Sequence, residues 1–417
     1  MSKDFIIAGI DIGTSNTRTV IAQQIKGEEN PRVIGVGVVP SVGIRRGVIT
    51  NVDDIAKTVI EAVESAERMA GFPIKSAIFN IGGCDIEFAN SKGVIAIGRA
   101  DGEVSDDDIN RVIAESQMIQ LPMNKEIVHV IAKKYRLDDQ DNIKDPSGMK
   151  GVRLEVDALV IESSSAQVKN IGKAAFQAGV EINDLVLEPL AAAVSVLTKK
   201  QKELGVVMIN IGGGTTSLAV YEEGELLHTA ILPLGGGHVT NDIAIGLRTS
   251  VEVAEQIKLE YGSAMAGDID KKDGIDLSLI DSREEGVVSR HHVAEIIEAR
   301  LEEIFSLVQK ELKLIGKAGL LPAGGVLVGG GAKMTHINEL AKDVLGLPIQ
   351  VGFPVGFGGI LDKVDDPSFA TASGLVLWAG QHQLEEKREG MKPFNPFAGK
   401  TDGMVDVVKN VFKRFLP

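Results

Sequence analysis

Short apolar runs closed by small polar loops alternate along this chain with longer stretches of helical periodicity. Ile7-Ala8-Gly9-Ile10-Asp11-Ile12 is a strand-length run that ends in the loop Gly13-Thr14-Ser15-Asn16. Strand-like runs follow at 19–22 and 33–39, on either side of a Lys26-Gly27-Glu28 turn. The same layout returns at 206–211, with the loop Gly212-Gly213-Gly214-Thr215-Thr216 and runs at 218–221 and 226–232 flanking Glu223-Gly224-Glu225. Two units of matching design so far apart predict a duplicated lobe, because solenoid periods are much shorter. Between them, Ile55, Val59, Ile60 and Val63 recur at helical spacing over 53–69, and Gly71-Phe72-Pro73 is a stop signal. Residues 168–178, 242–246, 293–315 and 337–345 also read as helices. Strands alternating with helices predict α/β lobes. The charge-free stretch 318–332 holds six glycines and a proline, so it reads as turn, strand and loop. No span approaches the roughly 18 apolar residues of a membrane-crossing helix. The apolar run 5–10 is bracketed by Asp4 and Asp11 with no small-residue cleavage site after it, so no export signal is expected and cytoplasm is the default.

Composition narrows the function classes. The 417 residues carry a formal net charge of −14 with only 13 Phe, 3 Tyr and 1 Trp, which supplies neither the phosphate-seeking charge nor the stacking platforms of a nucleic-acid binder. Cys84 is the single cysteine, so there is no intrachain disulfide and no CxxC; it reads as a small buried residue. Glycine is in excess, 47 residues, and its placement is informative. Phosphate binding needs several backbone N–H groups converging on one point, and glycine lets the backbone come close. One Gly-Gly loop is as well explained by a hairpin turn. Two equivalent loops on paired lobes, Gly13–Asn16 and Gly212–Thr216, can grip a polyphosphate from both sides. Asp11, at a strand end just before the first loop, suits a magnesium ion. A third cluster, Gly329-Gly330-Gly331-Ala332-Lys333, follows the strand-like Val326-Leu327-Val328 and reads as a flat platform for a purine base, or simply as a tight strand-to-helix turn. A fourth, Gly235-Gly236-Gly237, closes the second hairpin unit. Neither a GxxxxGK[ST] loop nor a GxGxxG is present, which excludes a P-loop NTPase and weakens a dinucleotide reading.

The order Asp11-Ile-Gly-Thr, Glu188-Pro189, Asn210-Ile-Gly-Gly-Gly-Thr-Thr and Val328-Gly-Gly-Gly-Ala resembles the actin/Hsp70/sugar-kinase ATPase superfamily. That resemblance implies ATP with Mg2+ between two ribonuclease-H-like lobes. Phosphates would lie at Gly13, Thr14, Ser15, Asn16 and at Gly212, Gly213, Gly214, Thr215, Thr216, with Gly235 and Gly236 nearby. Adenosine would lie at Gly329, Gly330, Gly331 and Lys333, with Glu255 and Lys258 beside it unless that pair is an ordinary surface couple. Asp11, Glu188 and Asn210 would be the catalytic group, Glu188 facing the attacking water. More specifically, the chain is similar over its full length to the FtsA family of bacterial cell-division proteins. The carrying stretch is His129-Val130-Ile131, Tyr135, Asp138, Gln140, Ile143 and Pro146-Ser-Gly-Met-Lys-Gly-Val-Arg-Leu-Glu155, with Ala132-Lys133 where the family usually has Pro-Gln.

The family resemblance implies a first actin-like lobe at 1–83, 164–197 and 363–383, and an FtsA-type inserted subdomain at 84–163. A second lobe covers 198–245 and 325–362, with an insertion at 246–324. A flexible linker, 384–403, leads to an amphipathic helix, 404–417. It further implies self-association into filaments, other division proteins as partners, and a surface for the FtsZ C-terminal tail around Arg300. The family's second loop begins with Asp and has another Asp seven residues on; here these are Asn210 and Ser217. Asparagine adds no charge to hold magnesium or polarise water, so ATP binding should persist while hydrolysis is slow or absent.

The C-terminal segment can be read without the family. At 100° per residue, Met404, Val405, Val407, Val408, Val411, Phe412, Phe415 and Leu416 fill one arc, and Asp406, Lys409, Asn410, Lys413 and Arg414 fill the other. At ~1.5 Å per residue its 14 residues span about 20 Å, short of a bilayer core. A basic amphipathic helix with Phe on its apolar side suits an anionic membrane surface. Docking on the protein's own body is the competing reading, and the tether with Gly390, Pro393, Pro396, Gly399 and Gly403 argues against it. His291-His292 lacks metalloprotease spacing, Asp106–Asp108 reads as a helix start, and the acids of 268–276 lack the calcium-loop pattern. An actin-like pilus-assembly scaffold and a small-molecule kinase of the same superfamily share the core. The amphipathic tail separates the first, and no sugar pocket or base is identifiable for the second.

Overall fold

A computed structural model describes residues 5–389. The first lobe opens with an antiparallel meander, β1 (Phe5–Ile12), β2 (Asn16–Gln24) and β3 (Arg32–Pro40). The small pair β4 (Ile44–Arg45) and β5 (Val48–Ile49), helix α1 (Val52–Ala70) and β6 (Ser76–Ile81) follow. β6 runs parallel to β1. Asn51 caps α1 by accepting from the Asp53 and Asp54 N–H groups, and the helix ends at Gly71, as the stop signal predicts. Its Ile55, Val59, Ala62 and Val63 are buried against the sheet, and Gly35 and Gly37 on β3 let it press close, since a Cβ at either would clash with a carbonyl of α1.

The chain then leaves this sheet through β7 (Glu87–Ala96), α2 (Asp106–Ser116), β8 (Lys125–Leu137), β9 (Gln140–Ile143) and β10 (Arg153–Ser164). These strands form a separate sheet in the order β7-β10-β8-β9, with its own small core of Val104, Val112, Tyr135, Leu137, Leu154 and Val156. Ser105 caps α2 in a capping box with Asp108, so the acidic run is a helix start, as expected. The residues carrying the family resemblance build this unit: Asp138 accepts from the Val152 and Arg153 N–H groups, and Gly148 donates to the Val104 carbonyl. Cys84 is exposed, contrary to the sequence reading, because it sits in the turn where the chain quits β6 instead of inside a strand.

The path returns through α3 (Ser165–Gln177), β11 (Glu181–Leu187) and α4 (Glu188–Val196). His129 of β8 binds the insert to this return, its Nε2 accepting from the Leu187 N–H at 3.0 Å. The second lobe starts at α5 (Lys199–Leu204), followed by the meander β12 (Val206–Ile211), β13 (Thr216–Glu222) and β14 (Glu225–Leu232). Glu223 and Gly224 both have positive φ, the backbone of a tight hairpin turn. Next come α6 (Gly236–Leu247), α7 (Val251–Tyr261), the short strands β15 (Gly274–Asp276) and β16 (Val287–Ser289), and α8 (Arg290–Leu314). β17 (Gly325–Val328), α9 (Ile337–Leu345) and β18 (Ile349–Val351) complete the lobe. α6 is longer than the predicted 242–246, since its first turn is built from the glycines of the fourth cluster.

The duplication is explicit in the topology. The sheets run β11-β6-β1-β2-β3 and β18-β17-β12-β13-β14, each an antiparallel meander with two parallel strands added beside its first strand. β19 (Gly358–Gly359) adds to the outer edge of β3, ahead of the expected return at 363. The final helix, α10 (Ala370–Glu389), continues past 384, where a linker was expected, because no glycine or proline interrupts the chain between Gly380 and Gly390. α10 lies between β1 and α4 at backbone contact: a Cβ at Gly9 would crowd the Ala372 carbonyl, and one at Gly374 would collide with that of Ala191. Among the described residues no helix is long and apolar enough to cross a membrane. The expected amphipathic helix at 404–417 and most of the linker lie outside the described residues.

Candidate nucleotide site

The two meanders place equivalent loops face to face. In the first loop the Gly13 N–H donates to the Asn16 carbonyl at 3.2 Å; in the second the Gly212 N–H donates to the Thr215 carbonyl at 2.9 Å. The loops abut so closely that a Cβ on Gly213 would overlap the Ser15 hydroxyl. The start of α6 braces the second loop, with the Gly236 and Gly237 N–H groups donating to the Gly212 and Gly213 carbonyls at 2.8 Å each.

Around them is a cleft of about 520 Å³ between the lobes. It gathers Asp11, Gly13, Thr14, Ser15, Asn16, Glu188, Asn210, Gly212, Gly213, Thr215, Gly236, Glu255, Lys258, Gly329, Gly330, Gly331 and Lys333, all singled out from the sequence. Three of the expected residues do not line it. Gly214 is packed against Thr14 and Arg46, and Gly235 lies on the Gly212 carbonyl and Thr215, both behind the loop surface. Thr216 is already inside β13 and fully buried. The Glu255–Lys258 pair is not an ordinary surface couple. The Lys258 side chain is 11% exposed, and its Nζ reaches Glu255 at 2.6 Å and Thr240 Oγ1 at 2.8 Å, tying α7 to α6 at the cleft wall. Lys333 pairs with Asp366 at 2.6 Å.

At the cleft floor Asp11 is held by Asn80, whose Nδ2 donates to Oδ1 at 2.8 Å while its own Oδ1 accepts from the Ile12 N–H. Burial pushes the Asp11 carboxyl up to about 7, against the pull of Arg18 and with a further push from Glu188. Arg18 is a residue the sequence reading passed over. It faces Asp11 across the β1–β2 ladder, lines the cleft, and its buried Nε has no hydrogen-bond partner. Burial lowers its pKa, while Asp11 and Asp366 pull the other way. Strand alternation from Asn16 was the available signal. Asn80, Thr371 and Met334 also line the cleft without having been singled out.

Glu188 begins α4. Its carboxylate accepts from Asn210 Nδ2, from Ser217 Oγ at 2.5 Å and from Thr371 Oγ1 at 3.4 Å. Burial raises its pKa, and these three donors oppose that shift. Arg300, on α8, reaches Asp242 of α6 at 2.5 Å and also pairs with Glu303, away from the cleft lining. His291 and His292 both meet Glu295 on the first turns of α8.

The residues fit a metal–nucleotide ligand on structural grounds. Asp11 is a buried carboxyl whose ionised form a cation would favour, Arg18 holds an unpaired buried donor, and three glycine clusters bring bare backbone to the cleft.

Two family models match the chain: "Cell division protein FtsA" over residues 207–374 and "SHS2 domain inserted in FTSA" over residues 83–162. A cell division protein FtsA from Pseudomonas aeruginosa is 39% identical over 380 residues, covering 91% of this chain and 90% of that one. Among solved structures, a type IV pilus biogenesis complex of PilM and PilN aligns with TM-score 0.65 at 16% identity, over 89% of this chain and 98% of the other. MreB 5 of Spiroplasma citri bound to AMPPNP aligns with TM-score 0.53 at 14% identity, over 94% and 100%. These two likenesses carry the actin-like fold, while the sequence matches carry the family. With the duplicated meanders, the shared cleft and the inserted four-stranded unit all in place, the chain belongs to the FtsA family of cell-division proteins.

Proposed function

We propose that this chain is an ATP-binding, actin-like division protein that links FtsZ filaments to the cytoplasmic face of the membrane at the division site and self-associates into filaments. The observation that carries the reading is the meeting of three glycine clusters, distant in sequence, on one interlobe cleft in a chain of this family. Gly13–Asn16 and Gly212–Thr215 would hold the phosphates, with Arg18 adding charge. Gly329–Lys333, Glu255 and Lys258 would hold adenosine, and Asp11 would hold Mg2+, which supplies neutralisation of the phosphate charge. Turnover is slow or absent, since Asn210 and Ser217 stand where acids would serve a metal.

The amphipathic segment 404–417 supplies weak membrane affinity, through Phe412, Phe415 and Leu416 on one face and Lys409, Lys413 and Arg414 on the other. Self-association multiplies that affinity by bringing many tails to one surface. The region of Arg300 on α8 receives the FtsZ C-terminal tail peptide, and other division proteins join at the assembled ring. The protein is therefore peripheral.

Co-sedimentation with anionic liposomes tests the adaptor, using the full chain and the chain ending at 403, with and without FtsZ and ATP. Only the full chain should pellet, and it should carry FtsZ down with it. Equal pelleting of both chains rejects the tail, and FtsZ left in the supernatant beside membrane-bound protein rejects the link.

A further inference from the structure

Asn210 and Ser217 are directly opposed residues of one strand pair, β12 and β13. The second phosphate loop, Gly212–Thr215, is the connection between those strands, so this pair stands at its base. Both side chains donate to the same carboxylate, and that carboxylate comes from elsewhere in the fold: Glu188 opens α4, directly after the first sheet's β11. Thr371 of α10 adds a third, longer bond to Oε1. One oxygen of Glu188 is thus engaged by Asn210 and Thr371 and the other by Ser217.

The amide orientation follows from this geometry. Turning Asn210 over would set its Oδ1 against a carboxylate, so Nδ2 faces Glu188 and Oδ1 is left buried without a partner beside Gly329. Acids at 210 and 217 would instead crowd three carboxylates together, and the two donors found here convert that repulsion into attraction.

We propose that Glu188, Asn210 and Ser217 form a clasp between the lobes, in which Glu188 is a positioning residue that fixes the second phosphate loop instead of orienting water. The clasp holds the base of the loop to the helix pair α4–α10 whether or not a ligand is bound. Its effect on the nucleotide rests on the ATP reading above. A loop fixed in this way makes nucleotide release slow, and a carboxylate with both oxygens engaged leaves turnover low.

Two measurements test it on the full chain. In the nucleotide-free protein, hydrogen–deuterium exchange of the amides over 211–217 should quicken about tenfold in Ser217→Ala and in Asn210→Ala, the loss of one hydrogen bond to a charged group. Ser217→Thr, which keeps the hydroxyl, should match the unaltered protein. With a fluorescent ATP analogue, dissociation should quicken by a similar factor in both alanine variants and in Glu188→Ala. Adding Ser217→Ala to Glu188→Ala should change little more, because the shared interaction is already lost. Unchanged exchange and unchanged dissociation in Ser217→Ala and Asn210→Ala overturn the clasp. So does a Glu188→Gln variant that abolishes a measurable ATP turnover while leaving dissociation as it was. If the unaltered protein does not bind the analogue but exchange still quickens, the ATP reading fails and the clasp stands.

Discussion

Arg18 shows at the scale of one residue what a linear motif conceals. The sequence pattern marks Asp11 and the loop after it, yet the cation that faces Asp11 is seven positions on and becomes visible only when β1 and β2 are paired. A buried guanidinium with an unpaired Nε is costly unless an anion completes it. Arg18→Met should therefore weaken Mg·ATP binding by about 10- to 100-fold, the range for a lost charged hydrogen bond, as measured by calorimetric titration. Asp11→Asn should remove the magnesium dependence of ATP affinity while affinity in EDTA stays close to that of the unaltered protein. Equal magnesium dependence in the two proteins would take Asp11 out of the metal site. Asp11, Glu188 and the glycine loops were legible because their residue types and order are unusual. Thr216 and Gly235 were misplaced by one position because a motif does not say where a loop ends and buried backbone begins.

At the scale of elements, hydrophobic period located the helices whose apolar stripe faces a sheet. α1 and α9 emerged within a residue or so of their expected limits. Periodicity failed where a helix is buried on several sides or begins in glycine. α4 is buried along nearly its whole length, so its sequence shows no polar face to set a phase. α6 opens on two glycines that spacing alone assigns to a loop. The crossing of α4 and α10 gives a direct test of packing. An exposed helical glycine replaced by alanine gains up to ~1 kcal/mol, but at Gly374 the added methyl meets the Ala191 carbonyl. Gly374→Ala should instead cost about 1–3 kcal/mol, read as a lower midpoint in thermal unfolding. A raised midpoint would mean that the helices can part without loss.

Across the whole molecule, the duplication was readable from the sequence because each lobe repeats its run–loop–run–turn–run order. The limits of the late return to the first lobe were less so, since β19 joins the first sheet ahead of 363 and α10 runs on past 384. A ligand held by both lobes stabilises the pair by mass action, about 2.7 kcal/mol at a hundredfold excess over its dissociation constant. Saturating Mg·ATP should therefore raise the unfolding midpoint, and EDTA should reverse most of the gain. A midpoint indifferent to nucleotide would argue against a cleft ligand. The backbone contact of α10 with β1 on one side and α4 on the other has a mechanical meaning. With no side chain between them, these elements cannot shift toward one another without driving backbone atoms into overlap. All three elements belong to the first lobe, so the contact locks that lobe into one rigid unit, and any swing between the lobes takes place outside it. Two spin labels on the surface of the first lobe should keep their spacing on adding nucleotide, while a pair with one label on each lobe should change.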